Sequence, residues 1–258
     1  MSRLIASTMT HSTYDLAGAL RKLKEAGFTK VELCSAGKLA PHFDVHNASV
    51  DSVAHTVRTV RESGMQVYCL NIGEGECTIN QMEYVYALAE SLGAGIVTYM
   101  CGWPKEGVPY LDRLREATEF NSKLADLGEK YGVICAIEAP HKLSIASNTE
   151  EVDRYWSMQD PRVKMTFDTA HLTYCGEDML ALARRYVGRI VHSHLRDAEK
   201  GNSLLRYGQG VVNFEEFFKI LNEGGYKGYF SMEYPSNSAE DAVDKLQESV
   251  KFLSKFDI

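Results

Sequence analysis

Eight short β-rich runs, each followed by a longer amphipathic segment, predict an α/β fold, a single (β/α)8 TIM barrel spanning 1–258. Two further observations agree. The length of 258 residues is close to the ~250 typical of one such barrel. No break in composition, low-complexity tract or linker divides the chain, which favours a closed barrel over an open doubly wound sheet.

The elements follow in order. The first run, 3–7, leads to a segment with Leu16, Leu20 and Leu23 on one helical face, where Ser12 or Thr13 is the expected cap and Gly27 the expected stop. The next runs are 30–34, 66–71 and 95–100. A helix over 80–92 separates the third from the fourth and stops at Gly93, because glycine adopts the left-handed conformation that ends a helix. After the fourth run a helix over 110–131 stops at Gly132. The remaining runs are 133–139, 163–168, 189–195 and 228–234. A helix over 214–222 precedes the last of them and ends at Gly224-Gly225, and the final helix carries Val243, Leu246, Val250 and Leu253 at helical spacing.

Bulk properties narrow the function classes. Hydrophobic residues make up 45% and charged residues 24%, with 6 prolines, as in an ordinary globular protein. A net charge of −7 gives no electrostatic reason to bind nucleic acid or an anionic membrane, so the expected partner is a small molecule. Leu4-Ile5-Ala6 is too short for a signal-peptide core, and no stretch approaches the ~20 apolar residues of a membrane span; a cytoplasmic location is expected. Cys34, Cys69, Cys77, Cys101, Cys135 and Cys175 show no C-x-x-C spacing and read as reduced thiols. No G-x-G-x-x-G or G-K-[ST] loop follows any run, so nucleotide binding loses support.

The chemistry concentrates at the ends of four runs: Glu138 in Ile-Glu-Ala-Pro, Asp168 in Phe-Asp-Thr-Ala-His, His194 in Val-His-Ser-His-Leu-Arg-Asp, and Glu233 in Ser-Met-Glu-Tyr-Pro. In a β/α barrel the carboxyl ends of the strands share one mouth, where three carboxylates and an imidazole invite a divalent metal that offsets their repulsion. Oxygen with imidazole suits Mn²⁺ first here, with Mg²⁺, Co²⁺ or Zn²⁺ as alternatives. Strand alternation puts His192, His194 and Arg196 on one face. His194 lies at the rim and is the better ligand, whereas His192, one layer deeper, reads as a core histidine or a second member of the site. Two long loops, from Ser35 to Asn47 with His42 and His46, and from Arg196 to Val212, are candidate substrate walls or a lid. Trp103, before Pro104, offers an apolar wall for substrate.

These motifs resemble the xylose-isomerase-like sugar isomerases and epimerases, which include tagatose and psicose 3-epimerases, inosose isomerases and hydroxypyruvate isomerase. Glu-Ala-Pro, Asp-Thr-Ala-His, His-Ser-His-Leu-Arg-Asp and Gly-Tyr-Phe-Ser-Met-Glu-Tyr follow the family's order between Glu138 and Glu233, and Tyr207-Gly208-Gln209-Gly210 is similar to its Pro-Gly-x-Gly turn. The resemblance implies that Glu138, Asp168, His194 and Glu233 bind one divalent metal, and that His171 and Arg206 contact substrate. A homo-oligomer fits it, such barrels being commonly dimers or tetramers.

A metal so held would stabilise the enediolate formed when a proton leaves the carbon beside a carbonyl. Glu138 and Glu233 are the candidate catalytic bases. The expected activity is therefore isomerisation or epimerisation of a sugar or polyol-derived ketone. A lyase on the same fold, a dehydratase or 3-oxo-sugar eliminase, is the alternative, and a non-catalytic sugar-binding subunit is a third reading. The metal-dependent apurinic endonucleases of this fold need extra histidines after strands two to four, where this chain has Leu70-Asn71-Ile72 and Tyr99-Met100-Cys101.

Overall fold

The computed structural model describes residues 3–256 and 258. The strands are β1 (Leu4–Ser7), β2 (Lys30–Ser35), β3 (Gln66–Ile72), β4 (Ile96–Met100), β5 (Ile134–Glu138), β6 (Lys164–Asp168), β7 (Ile190–Leu195), β8 (Asp197–Glu199), β9 (Asn202–Leu205) and β10 (Phe230–Met232). All but β8 and β9 close into a parallel barrel in the order β1, β10, β7, β6, β5, β4, β3, β2. Each of the eight expected runs holds one barrel strand, displaced at its ends by one or two residues. The helices are α1 (Leu16–Glu25), α2 (Val50–Ser63), α3 (Ile79–Leu92), α4 (Tyr110–Tyr131), α5 (Thr149–Ser157), α6 (Thr169–Cys175), α7 (Met179–Tyr186), α8 (Phe214–Glu223) and α9 (Ala239–Leu253). No helix among the described residues is long and apolar enough to cross a membrane.

Because side chains alternate across a strand, the barrel has two cores. Outward-facing Val31, Leu33, Leu70, Val97, Ile137, Phe167 and Phe230 pack with helix residues such as Leu20, Val85, Leu124, Val152, Leu182, Phe217 and Leu246 in one large cluster. Inward-facing Cys69, Ile96 and Ala136 form a separate small cluster. Two residues beyond Ile96, Thr98 Oγ1 shares a buried hydrogen bond of 2.7 Å with Thr166 Oγ1 of β6. The lumen is thus apolar low down and polar toward the carboxyl ends of the strands, where the remaining inward side chains carry charge.

The entry to α1 differs from expectation. Residues Thr8–His11 form a 3-10 turn, so the chain passes Ser12 and Thr13 before the helix begins, and Asp15 is the N-cap. Its Oδ1 accepts the Gly18 amide at 2.7 Å. Asp15→Ala should lower stability by about 1 kcal/mol, the usual worth of an N-cap side chain. Denaturant unfolding of both proteins checks this, and an unchanged midpoint would show the cap to be idle.

The two long loops are built segments. In the first, buried His42 hydrogen-bonds Thr8 Oγ1 through Nδ1 at 2.9 Å and the Tyr14 carbonyl through Nε2 at 3.1 Å, tying the loop to the end of β1. His46 instead pairs with Glu74 at 2.9 Å. In the second, β8 and β9 form an antiparallel hairpin. The buried carboxylate of Asp197 fastens the turn beyond it, accepting from the amides of Gly208, Gly210 and Val212 at 2.8, 2.9 and 3.3 Å. The wrap leaves no room for a side chain at Gly210, where a Cβ would stand 2.2 Å from Asp197 Oδ1. At Gly208 φ is +85°, the left-handed region that favours glycine.

Candidate metal centre at the barrel mouth

The carboxyl ends of four adjacent strands bring the four expected ligands together. Glu138 and Asp168 end β5 and β6, the Asp168 and Ser231 positions both pair with His194, and Glu233 follows the last residue of β10. Glu138, Asp168, His194 and Glu233 are 5%, 0%, 0% and 4% exposed. Each offers one donor atom, and these atoms all lie within 4.8 Å of one another. His194 Nδ1 is 2.8 Å from Glu138 Oε1 and 3.4 Å from Glu233 Oε2.

Electrostatics show what such a cluster favours. Burial presses the His194 imidazole down, yet Glu233, Glu32 and Glu138 hold its pKa well above the ordinary histidine range. Burial raises Glu138, but the charge on His194 and the contact with His171 outweigh it and leave the carboxyl well below its usual range. Burial pushes Glu233 up to about 7 against the pull of His194, and Glu138 beside it adds to the rise. Several buried carboxylates crowded together reward positive charge among them, and their oxygens with one imidazole nitrogen form the donor set of a hard or borderline divalent cation. The residues fit a divalent metal.

Arg196 supplies the fixed positive charge. Its Nε donates to Asp168 Oδ2 at 2.8 Å, and it lies 3.9 Å from Glu233 Oε2. The other oxygen of Asp168 caps α6, accepting the amides of Ala170 and His171 at 2.6 and 3.1 Å. Arg196 Nη2 is 2.7 Å from His171 Nε2. A guanidinium only donates, so His171 Nε2 is the acceptor and its Nδ1 carries the proton. That Nδ1 is buried and has no partner among the described residues. His171 also lies 3.6 Å from Glu138 Oε1, which places it beside the cluster.

Trp103 approaches through a relay of rings. It meets His141 edge-on with centroids 5.0 Å apart, and His141 packs on His171 at 3.8 Å. Arg206 is not brought to the cluster. Its guanidinium turns outward to Glu248 and Asp241, carboxylates of α9, at 2.5 and 3.3 Å; the arginine at the mouth is Arg196.

Two other groupings have ligand-type side chains, Glu138 with His141 and His171, and Glu32 with Cys69 and His192. The first already holds the guanidinium of Arg196 against His171. The second is sealed in the lumen, all three residues being fully buried. Glu32 and Asn71 escaped the sequence reading, although a signal for both was present. Each is a polar residue inside an apolar strand run, Val-Glu-Leu and Leu-Asn-Ile, and such a residue is buried only when it has a partner.

A closed parallel barrel with buried carboxylates and an imidazole gathered at the carboxyl ends of its strands defines a class of β/α barrel whose mouth has the donor set of a cation site. The profile of the xylose isomerase-like TIM barrel family matches residues 20–256, and the chain belongs to that family. The inosose dehydratase of Serratia proteamaculans (strain 568) is 29% identical over 189 residues, 62% of this chain and 63% of the relative. Across curated inosose dehydratases the chain covers from 37% to 63% of their length. A D-tagatose 3-epimerase-like protein superposes with a TM-score of 0.76 at 18% identity, covering 99% of each chain. The IOLI protein, solved with a bound zinc atom, gives 0.75 at 18% identity, over 100% of this chain and 99% of that one. At these identities the two structures share the fold.

Proposed function

We propose that this protein is a divalent-metal-dependent enzyme that removes and returns the proton beside the carbonyl of a sugar or polyol-derived ketone, as an isomerase or epimerase. The observation that carries this reading is the convergence of the Glu138 and Glu233 carboxylates on the same His194 nitrogen, 2.8 and 3.4 Å away. Glu138, Asp168, His194 and Glu233 would hold the ion, which supplies Lewis-acid stabilisation of charge developing on the substrate oxygen. Mn²⁺ remains the first choice, and the zinc in the IOLI protein supports the broader class of ion.

The chain's own residues do the proton work. One glutamate takes the proton from carbon and either returns it or leaves the return to the other. Arg196 holds Asp168 in place and fixes the tautomer of His171, whose unpartnered Nδ1–H would then donate to a substrate oxygen. The closely packed, tilted imidazoles of His141 and His171, with Trp103 beyond them, form one wall of the site.

A second reading is elimination of water from the same carbanion, favoured by the relatives named inosose dehydratase. Incubation with ketohexoses and inososes in D₂O with Mn²⁺ separates the two readings. Isomerisation conserves mass and is expected to place deuterium on the carbon next to the carbonyl. Elimination releases one water and leaves an unsaturated product. Absence of turnover and of deuterium exchange across the panel would count against both.

A further inference from the structure

We propose that Glu32 is a positioning residue for this centre: it takes the Nε2–H of His194, so that Nδ1 is the nitrogen presented to the cation. The proposal deepens the metal-dependent reading above and rests on it. Glu32 lies in β2 and is fully buried. Its Oε2 is 3.0 Å from His194 Nε2 and 2.5 Å from His192 Nε2. An ionised carboxylate oxygen accepts and never donates, so both histidine nitrogens carry protons. A neutral imidazole has a single N–H. In the metal-free imidazolium Nδ1 also carries a proton, directed at Glu138; with the Nε2 proton committed to Glu32, it is Nδ1, the atom that faces Glu138 and Glu233, that would give up its proton to a cation.

The surroundings hold Glu32 in this role. His192 supports it from one layer deeper, with its ring perpendicular to that of His194 and 5.1 Å away. The Nδ1 of His192 is buried without a partner among the described residues, which suits an unprotonated nitrogen better than an N–H. The other oxygen of Glu32 lies 3.4 Å from Asn71 Nδ2, and the same amide donates to Glu233 Oε1 at 2.6 Å. This leaves Glu233 Oε2 on the side of His194 Nδ1. One buried carboxylate therefore orients the imidazole directly and, through Asn71, joins a second ligand to the same network. A carboxylate behind a ligating histidine fixes ring orientation and raises its basicity, and loss of such a partner costs 10–100-fold in metal affinity.

The test measures Zn²⁺ affinity of the wild type and of Glu32→Gln by competition with a chromophoric chelator, with Glu32→Ala as a second variant. Glu32→Gln should bind about 10–100-fold more weakly, and Glu32→Ala at least as weakly. In parallel, ¹⁵N NMR of histidine-labelled wild type, metal-free and zinc-loaded, should show His194 protonated at Nε2 and coordinated through Nδ1. That measurement needs no variant and decides the matter if the substitutions prevent folding. Coordination through Nε2, or Glu32→Gln binding zinc within twofold of wild type, overturns the proposal while the metal-dependent reading stands. Wild-type protein that binds no divalent metal overturns both.

Discussion

Glu138→Gln should lower turnover by about 10²–10⁴-fold, the usual contribution of a positioned acid or base. The amide keeps the shape of the side chain and its place at the end of β5 but cannot take a proton. Glu138 is the carboxylate nearest His194 Nδ1 and also lies 3.6 Å from His171, so the substitution affects both the proposed metal and the proposed base. Metal content by elemental analysis must accompany the kinetics. A variant with full metal and a lost rate points to proton transfer. A variant with lost metal whose rate returns at high Mn²⁺ points to ligation alone. Full metal with a wild-type rate would remove Glu138 from the mechanism.

Arg196→Leu should destabilise the metal-free protein by about 3–5 kcal/mol, the cost of removing one partner from a buried ion pair. Its guanidinium is 2.8 Å from Asp168 and 3.9 Å from Glu233, both almost wholly buried, and its loss leaves their charges with less compensation. A divalent ion offsets the same carboxylates, so metal should stabilise the variant more than the wild type. At a free metal concentration of 100 times Kd, binding to the native state contributes about 2.7 kcal/mol. Urea unfolding of both proteins, metal-free and loaded, checks the pair of claims. A loss under about 1 kcal/mol would mean that the carboxylates are compensated elsewhere, since exposed ion pairs are worth no more than that.

The strand runs were legible because each is a short apolar stretch bounded by turn residues, a property of the local sequence. The helix stops at Gly93 and Gly132 were legible for the same reason: both glycines have the positive φ, +68° and +66°, that a left-handed cap requires. The cap of α1 was not, because the 3-10 turn that carries the chain past Ser12 is held by contacts with distant residues, such as Ser236 Oγ donating to the Thr10 carbonyl. Arg206 and Arg196 illustrate the same limit. Both occupy the loop after β7, and only the packing of α9 on the turn at Tyr207 gives Arg206 its acidic partners, while Arg196 stays at the mouth.

The sequence by itself determined the barrel, its eight strands and the placing of four ligand-type side chains at strand ends, since periodicity and turn chemistry act between neighbours along the chain. The tertiary structure decided which of those side chains meet. Glu32 lies 160 residues from His192 and 162 from His194, on a strand separated from theirs in the sheet by β1 and β10. No local pattern encodes that contact. It exists because closing the barrel turns the inward faces of non-adjacent strands toward one axis, where buried charges must find partners or forfeit their solvation.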